Sequence, residues 1–126
     1  MASSDQAKPT LLYVDDEEMN IYLFQKAFES DFEIVSAASG EAGLQKLEEY
    51  GDQIKAVVTD MRMPNMNGIE LVKKARQKHE QIPYFILTGF YCNEEIEAAL
   101  ENKAIREYFT KPFDAPKIKA ALKAAL

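Results

Sequence analysis

The sequence predicts a doubly wound α/β domain, a five-stranded parallel sheet covered by five helices. Three observations predict it. Short apolar runs alternate five times with longer amphipathic segments along 126 residues, the rhythm of repeated strand–helix units. The runs are apolar on consecutive residues, as strands buried between two helix layers must be. Four of the five runs end on an acid, a hydroxyl or an amine, at the sheet edge where open α/β folds place their ligands.

Leu11-Leu12-Tyr13-Val14 forms the first strand, followed by a helix from about Glu18 to Glu29. Phe32 to Ala37 is the second strand. Ser39 is the N-cap of a helix reaching about Tyr50, because its hydroxyl can accept an otherwise unpaired helix N–H. Ala56 to Thr59 is the third strand. Asn67 with Glu70 makes a capping box, and Gly68, Leu71, Val72 and Ala75 share the helical face behind it. Phe85-Ile86-Leu87 is the fourth strand. Asn93 then precedes Glu94-Glu95, acids that the helix dipole favours at an N-terminus. That helix runs to about Lys103, with Ile96, Ala99 and Leu100 as its clear anchors. Tyr108-Phe109 marks the fifth strand, and Asp114 caps a last helix whose Ile118, Ala121, Leu122, Ala125 and Leu126 share a face.

The strand ends set the order of the sheet. Asp15-Asp16 follow strand one, Asp60 ends strand three, Thr88 ends strand four and Lys111-Pro112 follow strand five. Strand two ends in Ala37-Ala38-Ser39 and offers no charged group. That asymmetry fits the order 2-1-3-4-5, with strand two at one edge and the reactive side chains converging beside strands one and three.

A carboxylate at the end of a buried strand is costly unless something uses its charge. Three carboxylates close together repel, and a divalent cation relieves them. An all-oxygen set with few protein donors suits Mg²⁺, which keeps several waters. Lys111 adds a compact positive charge and Thr88 a hydrogen-bond donor, and phosphoryl transfer needs mainly positioning and charge neutralisation. In that chemistry Asp60 is the nucleophile and forms an acyl phosphate.

Composition narrows the field. Hydrophobic residues at 47% and charged residues at 29% are ordinary globular values. A net charge of −6 argues against direct binding of nucleic acid. Cys92 is the sole cysteine, which rules out an intrachain disulfide and fits a reducing cytoplasm. Met1 to Lys8 is short and polar, without a signal-peptide core, and no run approaches the ~18 apolar residues of a membrane span. Residues 1–9 are expected to be a flexible tail and 10–126 one domain. The last helix reaches Leu126 without a glycine cap or polar tail, so the chain is either a stand-alone protein or part of a longer one.

Four blocks resemble the receiver domain of two-component response regulators, close in length to its chemotaxis-type members. They are V-D-D-E at Val14 to Glu17, T-D-M-R-M-P-N-M-N-G at Thr59 to Gly68, L-T-G at Leu87 to Gly89, and Y-F-T-K-P-F at Tyr108 to Phe113. The resemblance implies a flavodoxin-like fold and a phosphorylation-activated switch rather than an enzyme with its own substrate. It implies Asp60 as phosphoacceptor, Asp15, Asp16, Asp60 and the backbone carbonyl of Arg62 as Mg²⁺ ligands, and Thr88 and Lys111 as phosphoryl-binding groups. Tyr108 would be the aromatic switch partner of Thr88, and the peptide before Pro112 would be cis. The donor would be a histidine kinase or phosphotransfer protein. A homodimer or effector would use the face made by the fourth helix, fifth strand and fifth helix. The chain departs from the family at Ala104, where a glycine often ends the fourth helix, and at Lys55, often an aspartate. Arg62 and Phe90 occupy positions that vary in the family.

Simpler readings stand beside these. Either Asp15 or Asp16 alone could cap the first helix, Thr88 could be a turn residue, and Tyr108 could be packing only. His79 reads as a surface residue, Cys92 as an inert thiol, and Met61, Met63 and Met66 as packing beneath the loop after Asp60. Three rival functions are weaker. A haloacid-dehalogenase-type hydrolase wants a second acid where Arg62 stands. A flavodoxin-type electron carrier wants a Ser/Thr/Gly loop where this chain has Asp-Asp-Glu-Glu. A docking-only receiver has no need of the complete acid, Thr and Lys set.

Overall fold

The computed structural model describes residues 8–89 and 93–126. Five parallel strands, β1 (Thr10–Val14), β2 (Glu33–Ala37), β3 (Ile54–Thr59), β4 (Tyr84–Thr88) and β5 (Glu107–Thr110), form one sheet in the order β2-β1-β3-β4-β5. Helices α1 (Glu18–Phe28), α2 (Gly40–Tyr50), α3 (Gly68–Arg76), α4 (Glu94–Glu101) and α5 (Ala115–Ala125) connect and cover them. The predicted fold class and strand order hold.

Alternation along the strands divides the core in two. Leu12 and Val14 of β1 point to one face, where they join Leu47 of α2, Leu71 of α3 and Ile96 of α4. Leu11 and Tyr13 point to the other, among Phe24 and Phe28 of α1 and Ile118 and Leu122 of α5. Each such side chain, fully buried, contributes roughly 1.5–3 kcal/mol.

Register brings the carboxyl ends level. Val14 pairs with both Ala37 and Thr59, and Thr88 pairs with Thr110. The residues just after β1, β3, β4 and β5 therefore emerge along one edge of the sheet.

The helix caps follow the sequence closely. Ser39 accepts the N–H of Ala42, Asn93 that of Ile96 and Asp114 that of Lys117, and Asn67 with Glu70 forms the complete capping box. Differences arise where tertiary contacts decide. Strand β3 begins two residues earlier than its apolar run suggests. A short 3-10 turn at Gly51–Gln53, entered through Gly51 at φ +53°, delivers the chain directly to Ile54. Lys8 and Pro9, assigned to the tail on sequence, both bond to the domain: Lys8 Nζ donates to the Glu29 carbonyl and Pro9 accepts the Glu33 N–H. Leu126 does not join the apolar face of α5 and is 48% exposed, because the helix ends before it. His79 is no free surface residue: its side chain is only 19% exposed and its Nε2 lies 3.3 Å from Glu48. Phe90 and Cys92 lie outside the described residues.

The end of α4 departs from the glycine rule. Lys103 takes the left-handed conformation at φ +65°. The Ala104 N–H reaches the Ala99 carbonyl at 2.9 Å and the Lys103 N–H the Leu100 carbonyl at 3.2 Å, a Schellman closure built on a lysine.

Candidate functional site

The site grows from the end of β1. Asp15 N–H donates to the Ala37 carbonyl, and Asp60 N–H donates to the Val14 carbonyl at 2.9 Å. These bonds carry the strand pairing one residue past β1 and β3 and lock both aspartates to the sheet. Asp15 is fully buried and Asp60 only 8% exposed, whereas Asp16 points to solvent. One carboxylate oxygen from each of the three lies within 4.8 Å of the others. An all-oxygen, triply anionic set of that size is compatible with a hard divalent cation.

Each buried oxygen has a partner. Asp15 Oδ1 accepts the Glu17 N–H at 3.0 Å, and Oδ2 accepts from the Tyr13 hydroxyl at 2.8 Å and from Lys111 Nζ at 3.0 Å. Asp60 Oδ1 accepts the Met61 N–H at 2.7 Å, which fixes the plane of the carboxylate, and Oδ2 faces Lys111 Nζ at 3.4 Å. The lysine thus straddles two carboxylates and neutralises part of their repulsion. Burial raises the Asp60 carboxyl above its ordinary range; Lys111 works against this, Asp15 adds to it, and the Met61 amide opposes it. Burial, reinforced by Asp15, pushes the Tyr13 hydroxyl far upward and keeps it a proton donor.

Lys111 is placed by β5 and by its own backbone. Its N–H donates to the Thr88 carbonyl at 2.7 Å, and a cis peptide joins it to Pro112 as expected. Thr88 is fully buried at the end of β4. Arg62 is exposed on the loop two residues beyond Asp60. Tyr108 is half-buried, packed against the core beneath α2, α3 and α4.

The loop after Asp60 is held from below. Met61, Met63 and Met66 are 6%, 9% and 6% exposed, the packing role expected of them. Gly68 lets the loop close, because its N–H donates to the Met61 carbonyl at 2.9 Å and a Cβ there would clash with the Asp60 carbonyl. Of the predicted site residues, Asp15, Asp16, Asp60 and Lys111 form one cluster, with Thr88 joined to Lys111 through the backbone. Sequence reasoning missed the Tyr13 hydroxyl. The only available signal was a phenol two residues before Asp15, on the same face of the strand.

With this geometry in hand, the comparisons are consistent. The family model "Response regulator receiver domain" matches residues 11–123, and the chain belongs to that family. It is 34% identical over 118 residues to the alkaline phosphatase synthesis transcriptional regulatory protein PhoP of Bacillus subtilis, covering 92% of this chain and 48% of PhoP. It is 32% identical over 96 residues to the chemotaxis protein CheY1 of Helicobacter pylori, covering 75% and 76% of the two chains. The response regulator TrrA of Thermotoga maritima, solved with Mg²⁺ and BeF, superposes with a TM-score of 0.79 at 29% identity, over 93% and 98% of the two chains. The chain thus spans about half the length of PhoP. It is a phosphoaccepting receiver domain of two-component signalling. None of the described helices is long and apolar enough to cross a membrane.

Proposed function

We propose that Asp60 accepts the phosphoryl group from a phosphohistidine of a histidine kinase or phosphotransfer protein. The observation that carries this reading is the Asp60 carboxylate itself. It is nearly buried, with one oxygen pinned by the Met61 amide and the other turned toward Lys111 and the acids. A P–O bond forms to Asp60 while the P–N bond to the donor imidazole breaks, its electron pair leaving with the ring nitrogen. Burial makes the Asp60 anion more basic than a solvated aspartate, which favours attack. Lys111 and Thr88 then hold the phosphoryl oxygens. Asp15, Asp16, Asp60 and the Arg62 carbonyl would hold Mg²⁺, which offsets the charge gathered on the transferring group. The same pocket supports loss of the group: water attacks phosphorus, the P–O bond to Asp60 breaks, and inorganic phosphate leaves.

Phosphorylation adds about two negative charges beside Lys111 and Thr88. Thr88 moves toward the phosphoryl group, Tyr108 turns inward behind it, and the α4–β5–α5 face becomes the surface read by an effector or by a second copy of the domain. The domain, residues 10–126, works in the cytoplasm and contacts no nucleic acid itself.

The test is intact mass after incubation with acetyl phosphate and Mg²⁺. Wild type gains one phosphoryl group that is labile to base and to hydroxylamine, and Asp60→Asn gains none. A phosphorylated Asp60→Asn variant, or a base-stable adduct, sinks the assignment.

A further inference from the structure

We propose that Tyr13 is a positioning residue for phosphoryl uptake, its buried hydroxyl holding Asp15 while Lys111 transfers from the carboxylates to the incoming group. This rests on the roles argued above for Asp60 and Lys111. Lys111 Nζ lies 3.0 Å from Asp15 Oδ2 and 3.4 Å from Asp60 Oδ2, so one ammonium serves two acids. A phosphoryl group on Asp60 would compete with Asp15 for that ammonium. Asp15 is fully buried, and a buried carboxylate oxygen stripped of its donors is strongly penalised. Tyr13 supplies the donor that stays, at 2.8 Å from the same oxygen.

The ring is fixed for that purpose. Tyr13 is 1% exposed and stacks on Phe24 with centroids 4.0 Å apart and planes 3° from parallel. Phe24 stacks in turn on Phe28 at 4.2 Å. The hydroxyl therefore keeps its place when the flexible lysine moves. Packing alone would be satisfied by phenylalanine at this position, so the oxygen is the informative atom.

Tyr13→Phe keeps the stack and removes only the hydroxyl. Three quantities are compared with wild type: beryllofluoride affinity in Mg²⁺, the rate of acetyl phosphate uptake by intact mass, and Mg²⁺ affinity alone by calorimetry. The expected result is an about tenfold loss in the first two, equal to about 1.4 kcal/mol, while the Mg²⁺ affinity stays within about twofold. Tyr13→Leu, which also loses the ring, should show the same gap between beryllofluoride and Mg²⁺ affinities relative to wild type. Thermal melting checks that each variant is folded. Equal beryllofluoride affinity in Tyr13→Phe and wild type overturns the proposal, as does a Mg²⁺ affinity that falls in step with it. Should Tyr13→Phe fail to fold, the Tyr13→Leu gap decides alone. A wild type that takes up no phosphoryl group removes the Asp60 reading itself, and this inference with it; a competent wild type with an equally competent Tyr13→Phe removes this inference only.

Discussion

Helices α3 and α4 cover the same face of the sheet, yet they are held very differently. Helix α3 has nine residues, of which Gly68, Ile69, Leu71, Val72 and Ala75 are buried. A full capping box starts it, and it packs between α2 on one side and α4 on the other. Helix α4 has eight residues and buries only Ile96 and Ala99, with Leu100 half-buried. It ends on a lysine at φ +65°. Helix α3 and its loop are a frame that fixes Asp60. Helix α4 has less to lose by moving than α3, and a phosphoryl group can act only by favouring one arrangement over another.

The largest expected effect that tests this contrast is at Leu71. Leu71→Ala should cost about 3–5 kcal/mol, because the flanking helices leave the cavity little room to collapse. Ile96→Ala removes a comparable side chain but should cost only about 2–3 kcal/mol, since α4 can settle into the space. Urea unfolding of both variants measures the difference; equal losses would mean that α4 is as firmly seated as α3.

The charge side of the frame is tested by pH. Asp60 has a raised carboxyl pKa in the folded state, chiefly through burial. Below its unfolded value of 3.8 the carboxyl is neutral in both states and Asp60→Asn changes nothing through charge. As pH rises through the folded pKa, wild type loses stability that the variant keeps. Without Mg²⁺, Asp60→Asn should therefore melt higher than wild type at neutral pH, with the gap closing in acid. A gap that widens in acid would contradict the burial account.

The smallest effect concerns the close of α4. Lys103→Gly relieves a left-handed lysine at some cost in unfolded-chain entropy, and should stabilise the protein by about 0.5–1 kcal/mol. A loss of stability would mean that the lysine side chain contributes more than its backbone geometry costs.

The frame was legible in the sequence and the looser parts were not, for physical reasons. Asp15, Asp60, Thr88 and Lys111 stand out because charge or hydroxyl at the end of a buried apolar run has few structural uses. The caps at Ser39, Asn67, Asn93 and Asp114 are local chemistry and read directly. The Tyr13 hydroxyl is hidden, since tyrosine in an apolar run looks like packing until its oxygen is seen 2.8 Å from Asp15. Lys103 is hidden because lysine carries no signal for positive φ; the departure at Ala104 marks only that the helix closes unusually. Leu126 and His79 depend on where a helix stops and what a neighbouring helix offers, which periodicity cannot supply.

In the proposed switch, charge arriving at Asp60 is felt at α4 and β5 while α3 and β2 stay fixed. Amide exchange with and without beryllofluoride, in Mg²⁺ throughout, measures it directly. Beyond the loops that bind the mimic, protection should change most across residues 93–110 and little in Gly68–Arg76 or Glu33–Ala37. Changes confined to the binding loops, or largest in α3 or β2, would contradict it.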